Sequence, residues 1–250
     1  MKEFFSILGG MGTIATESYI RLINHRVKIK RDQDYLNYIL VNHATVPDRT
    51  SHILNPDKCE SFLPYLIDDI KQQNKLDPDF IVMVCNTAHY FYEELQKNSQ
   101  APILHMPRIA IKKMTEQYPN EDKVGLIATR GTIADGIYKN EIEKVDKEVV
   151  LGGSEIQDLV DELIYQNIKE KGIVDVTLYH RILELMHDNY GVNVVVLGCT
   201  ELSLAQEKGD NHPYHVIDAQ SIIADVTIEL ATQIRQGQDK NQIIKHYQEV

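Results

Sequence analysis

Within its 250 residues the chain repeats itself once. The tetrapeptide GTIA stands at Gly12–Ala15 and again at Gly131–Ala134, each time after an apolar run and before a helical pattern. The segment VMVCNT, which carries Cys85, is answered by VVLGCT, which carries Cys199, and the strand-like ILHM at Ile103 by VIDA at Val216. The offsets between the copies are 119, 114 and 113 positions, in one unbroken order. An internal duplication restricts the fold severely, because whatever the first half builds the second must build too. Equivalent residues then meet across an approximate twofold axis.

The repeated unit reads as α/β. FFSIL, YILVN, FIVMV, KVGLIAT and VNVVVLG are short, almost continuously apolar runs, the pattern of parallel strands covered on both faces. Between them Ala15, Tyr19, Leu22 and Ile23 share one helical stripe, as do Val176, Tyr179, Leu183, Met186 and Tyr190, and later Ile223, Val226, Leu230 and Ile234. Alternating strands and helices predict two pseudo-symmetric lobes, each a mostly parallel sheet flanked by helices and joined by right-handed crossovers. We divide them at residues 1–105 and 106–218, with a C-terminal helical stretch over 219–250 packing back on the first lobe. The functional cleft is expected between the lobes, at the carboxyl ends of the strands.

Charge and cysteine content narrow the function. A formal net charge of -11 repels phosphate-rich partners, so nucleic acid and anionic membrane surfaces are not expected. The opening MKEFFSILGGMG lacks a cleavable apolar segment, and no run approaches the roughly 18 apolar residues of a spanning helix. Three cysteines without framework spacing suit a reducing compartment, and the expected location is cytoplasmic.

Candidate chemistry gathers at the strand ends. Cys85 and Cys199 each follow a strand and precede a helix, whose N-terminal partial charge favours a thiolate. A buried core thiol is the ordinary reading of one such cysteine; two at matched positions point to a reactive pair. Cys59 has no counterpart, and no CxxC spacing suggests a metal. GGMGTIA satisfies a dinucleotide pattern only in part, since YILVNHA ends in Asn42 and His43 where a ribose-binding acid would stand. Its glycine turn can instead offer backbone N–H groups to a carboxylate. Arg49, in the loop VPDRT, suits bidentate carboxylate recognition. A lysine from YQNIKEKG, either Lys169 or Lys171, can reach the cleft, and His89 lies four residues past Cys85.

Taken together, GGMG, PDRT, CNTAHYF, ATRGT followed by GIY, and LGCTEL resemble the aspartate/glutamate racemase family, in its aspartate racemase branch. The likeness runs from Gly9 to about Asp218. It implies a homodimer that racemises a small-molecule amino acid, with neither pyridoxal phosphate nor a metal as cofactor. Position by position, it makes Cys85 and Cys199 the two bases. It assigns Met11, Gly12, Asn86, Thr87, Thr129, Thr132 and Thr200 to the α-carboxylate and ammonium, and Arg49 and Lys169 to the side-chain carboxylate. The chain departs from the peptidoglycan-type glutamate racemases, which carry His after the second GCT and an acid in the first loop. Glu201 and Met11 stand there instead, disfavouring that role. Thr13 replaces a usual Pro and Gln220 a common Thr, leaving the side-chain range open between aspartate, glutamate and uncharged amino acids. Competing readings are a two-cysteine isomerase of another small carboxylic acid, a silent amino-acid-binding protein, and a dinucleotide-dependent oxidoreductase.

Overall fold

The computed structural model describes residues 1–248. Two four-stranded sheets form, and every neighbouring pair of strands is parallel. In the first, β1 (Phe5–Gly9), β2 (Tyr38–Asn42), β3 (Ile81–Met83) and β4 (Ile103–Leu104) lie in the order β2-β1-β3-β4. In the second, β5 (Lys123–Ala128), β6 (Glu148–Leu151), β7 (Val194–Gly198) and β8 (His215–Asp218) lie in the order β6-β5-β7-β8. One order is the other advanced by four strands, which is the repeat of GTIA and of the cysteine segments expressed as topology. The edge strand β6 carried no comparable sequence signal. Its end residues Glu148 and Leu151 are exposed and its two valines only half-buried, so no continuous apolar run marks it.

Side-chain alternation along the strands puts the two cysteines in the same register. On β3, Val82 and the following Val84 face a core shared by both sheets, while Ile81 and Met83 face an outer cluster, with Cys85 in step. On β7, Val194 and Val196 face the shared core, while Val195 and Leu197 face the second outer cluster, with Cys199 in step. The shared core joins Phe5 and Ile7 to Val124 and Ile217, and it takes Ile223, Val226, Leu230 and Ile234 from the helix Ala219–Arg235. That helix packs against both Thr13–Arg26 and Met106–Gln117, and its Thr227 hydroxyl lies 2.7 Å from the Tyr19 phenol.

The C-terminal stretch read as helical over 219–250 forms Ala219–Arg235 and Lys240–Gln248. They are separated at Gly237, whose φ of 83° suits glycine and ends the first helix. Residues 249 and 250 lie outside the described residues. Among the described residues no helix is long and apolar enough to cross a membrane.

Candidate active site

The carboxyl ends of the strands converge from both lobes. Cys85 follows β3 and enters the 3-10 turn Thr87–Phe91, and Cys199 caps the helix Thr200–Lys208 after β7. Asp48 caps the short helix Arg49–Leu54 by accepting the Ser51 N–H at 2.7 Å, and so sets the direction of Arg49. Thr129 caps Arg130–Asp135 in the same way, accepting from the Thr132 N–H at 3.2 Å. The helix Ser154–Asp161 continues as a π-helix, Glu162–Glu170, which brings in Tyr165 and Lys169. Such i→i+5 segments are rare and often sit at functional sites.

One small, nearly closed cleft takes Met11, Arg49, Cys85, Asn86, Thr87, Thr129, Lys169, Cys199 and Thr200 into its lining. Two of the residues expected there stand off it. Gly12 borders an adjoining outer hollow with Arg49, Lys169 and Glu201, and a Cβ at Gly12 would lie 3.2 Å from Glu201 Oε1. Thr132 sits behind the wall, its hydroxyl 2.9 Å from that of Thr87 and 3.1 Å from that of Thr129. Of the two lysines, Lys169 faces the cleft, while Lys171 is exposed and bonds Asn167.

The lining also includes Asp48, Thr50, Tyr165 and Glu201, none of which the sequence reading gave a role. Tyr165 donates to the Thr50 hydroxyl at 2.9 Å and so ties the second lobe to the first beside the cleft. Its signal was its place four residues before Lys169 on one helix. Glu201 was visible as a departure, but its purpose depends on geometry. The Cys199 thiol donates to Glu201 Oε2 at 2.9 Å, and Glu201 Oε1 lies 3.5 Å from the Lys169 ammonium.

This arrangement corrects one expectation. Burial, together with the Glu201 charge beside it, pushes the Cys199 thiol well above the ordinary cysteine range, against a smaller opposing pull from Lys169. A helix N-terminus is worth about 0.3–1 kcal/mol to an adjacent anion. A full charge at roughly 4 Å is worth about 4 kcal/mol in a partly polar interior. Burial and carboxylate outweigh the helix end, and Cys199 rests as a thiol. Burial alone would lower the Lys169 ammonium, but the Glu201 carboxylate is the main charge opposing it, and Lys169 is held above its usual range.

Two donors in the lining are unspent. Arg49 gives its terminal N–H groups to the carbonyls of Val46, Pro47 and Met11, yet its buried Nε has no partner. Among the described residues it forms no ion pair. Asn86 accepts from the Tyr138 phenol through Oδ1, and its buried Nδ2 has no partner. Unsatisfied buried donors are uncommon, and two in one small cleft suit an anionic guest. His89 plays a framework part. Its Nδ1 donates to the Cys85 carbonyl at 2.8 Å and its Nε2 accepts the Met106 N–H at 3.1 Å, and burial lowers its pKa to about 4, so it stays neutral.

Known proteins resemble this chain over most of its length. A family model, Asp/Glu/Hydantoin racemase, matches residues 8–227. The broad specificity amino-acid racemase RacX of Bacillus subtilis is 26% identical over 228 residues, 89% of this chain and 95% of its own. The aspartate racemase of Picrophilus torridus superposes with a TM-score of 0.78 at 26% identity, over 92% of this chain and 94% of that one. A glutamate racemase of Francisella tularensis, solved in complex with D-glutamate, superposes with a TM-score of 0.63 over 93% of this chain and 81% of that one. At 17% identity it is a likeness of fold.

Proposed function

The chain belongs to the Asp/Glu/hydantoin racemase family, and on that footing we propose that it interconverts L- and D-aspartate without a cofactor, with Cys85 and Cys199 as the two bases. The observation that carries this reading is that two thiols from different lobes, at equivalent strand ends, line one cleft. A binding protein would need neither. The aspartate preference draws on Arg49 and Lys169 at one side of the cleft, and on the likeness to the Picrophilus torridus aspartate racemase. We propose further that it acts as a homodimer in the cytoplasm, a reducing compartment in which the free thiols of Cys59, Cys85 and Cys199 would persist.

The Cα–H of an amino acid is a very weak acid, so its removal depends on donors that meet the charge developing on the α-carboxylate. Asn86 Nδ2 and the hydroxyls of Thr87, Thr129 and Thr200 supply them, with Thr132 steadying Thr87 and Thr129 from behind. The side-chain carboxylate goes to the free Nε of Arg49 and to Lys169. Cys85, as thiolate, takes the Cα proton from one face while the Cys199 thiol gives its proton to the other. The products are the opposite enantiomer, a Cys85 thiol and a Cys199 thiolate. The reverse reaction runs from that state, the Cys199 thiolate taking the Cα proton of D-aspartate while the Cys85 thiol gives its own. In the resting protein Glu201, bonded to the Cys199 thiol, is the base placed to exchange that proton between turnovers. Because each base stays on its own face, inversion requires the pair.

Incubation of purified protein with L-aspartate in deuterated water tests this, with no cofactor added. We expect D-aspartate to appear with deuterium at Cα. Retained protium and no D-enantiomer would overturn the racemase in favour of the binding protein. Parallel incubations with glutamate and neutral amino acids define the side-chain range.

A further inference from the structure

We propose that Tyr138 is a positioning residue, which turns the Asn86 amide toward the substrate's α-carboxylate and holds the two cysteine-bearing strand ends in register. The proposal rests on the two-cysteine reading above and adds a residue to it from outside the cleft lining.

Tyr138 lies on the helix Ile137–Glu143 of the second lobe and is wholly buried. Its phenol crosses to the first lobe and donates to Asn86 Oδ1 at 2.5 Å. Asn86 directly follows Cys85. The edge of the same ring packs on Gly198, which directly precedes Cys199; a Cβ there would lie 3.3 Å from Tyr138 Cε2 and 2.8 Å from Ala128 Cβ. One side chain thus touches the neighbours of both thiols.

An asparagine amide has a donor end and an acceptor end, and only one of them suits a carboxylate. With Oδ1 engaged by the phenol, Nδ2 is left buried in the cleft wall without a partner. The reversed amide would set Oδ1 against the substrate carboxylate and repel it. Burial holds the phenol far above its ordinary range, so it keeps its proton and remains able to donate at any working pH. Glu141, one turn along the helix, faces Arg108 and Lys144 and takes no part in this contact. A tyrosine that merely filled the core would also find some acceptor for its hydroxyl. What distinguishes Tyr138 is that its acceptor is a cleft residue with its other end unspent.

Tyr138→Phe keeps the ring and removes the donor. We expect kcat/KM for aspartate to fall about tenfold, as for loss of one oriented hydrogen bond to a charged group, with the melting temperature little changed. Asn86→Ala should cost at least as much, and the double variant should cost no more than Asn86→Ala alone. Unchanged kinetics in Tyr138→Phe, or losses that simply add, would overturn the proposal. A readout independent of turnover accompanies these. The Asn86 side-chain amide, identified as the nitrogen-15 cross-peak missing from Asn86→Ala, should shift in Tyr138→Phe, and an unmoved peak also overturns it. Should the wild-type protein leave aspartate unchanged, the racemase reading fails by itself, and the amide spectrum still decides whether Tyr138 orients Asn86.

Discussion

Cys199, Glu201 and Lys169 form a chain of thiol, carboxylate and ammonium whose order sets the resting proton. In the two-base reading each cysteine serves one face of the substrate. Cys85→Ala and Cys199→Ala should each abolish racemisation, measured by chiral chromatography. Each should retain, at most, Cα deuterium exchange of a single enantiomer, opposite for the two variants. Either variant racemising near the wild-type rate would sink the reading. Glu201→Gln removes the anion that helps to hold the Cys199 proton. The thiol pKa should then fall, so the alkaline limb of the kcat/KM profile moves to lower pH. The loss of kcat/KM, about 10²–10⁴-fold as for removal of a general base, should be equal for both enantiomers, because a racemase has an equilibrium constant of one. An alkaline limb that stays put would separate Glu201 from Cys199. The sequence exposed both cysteines through their repeat, but Glu201 only as a departure. A carboxylate two positions along could point anywhere until the helix Thr200–Lys208 is built.

At the scale of elements, the two copies of GTIA have diverged in use. Gly12 caps the helix Thr13–Arg26 beside the outer hollow, whereas Gly131 lies inside the short helix Arg130–Asp135, which packs on Arg49–Leu54 of the other lobe. A Cβ on Gly131 would fall 2.8 Å from Thr50 Cα, a backbone atom that cannot swing away. The second glycine therefore serves close approach between helices, not an anion turn. Gly131→Ala should push the two helices apart beside Tyr165–Thr50. The expected cost is about 1–3 kcal/mol, as for overpacking, which is roughly 2–12 °C of melting temperature in a chain of this size. A melting temperature within a degree of wild type would show that the approach is looser than described. From sequence this glycine read like the first, because the pressure on it comes from a helix 81 positions away.

Across the whole molecule, the lobes are joined by more than the cleft. One core takes side chains from both sheets and from the helix Ala219–Arg235, so neither half can bury its apolar surface alone. Thermal unfolding should accordingly be a single cooperative transition with matching calorimetric and van't Hoff enthalpies; two resolved transitions would mean that the lobes fold separately. Seven of the eight strands, their parallel pairing and the equivalence of Cys85 with Cys199 were legible in the chain. Apolar runs and a repeat are local patterns, and a duplicated unit must repeat its topology. The edge strand β6, half-exposed, left no such pattern. Only the tertiary structure decided which lysine faces the cleft, that Cys199 rests protonated, and that Tyr165 and Tyr138 reach across from one lobe to the other. Those outcomes depend on burial and on charges a few ångströms apart in space, which residues distant in sequence supply and which no local pattern records.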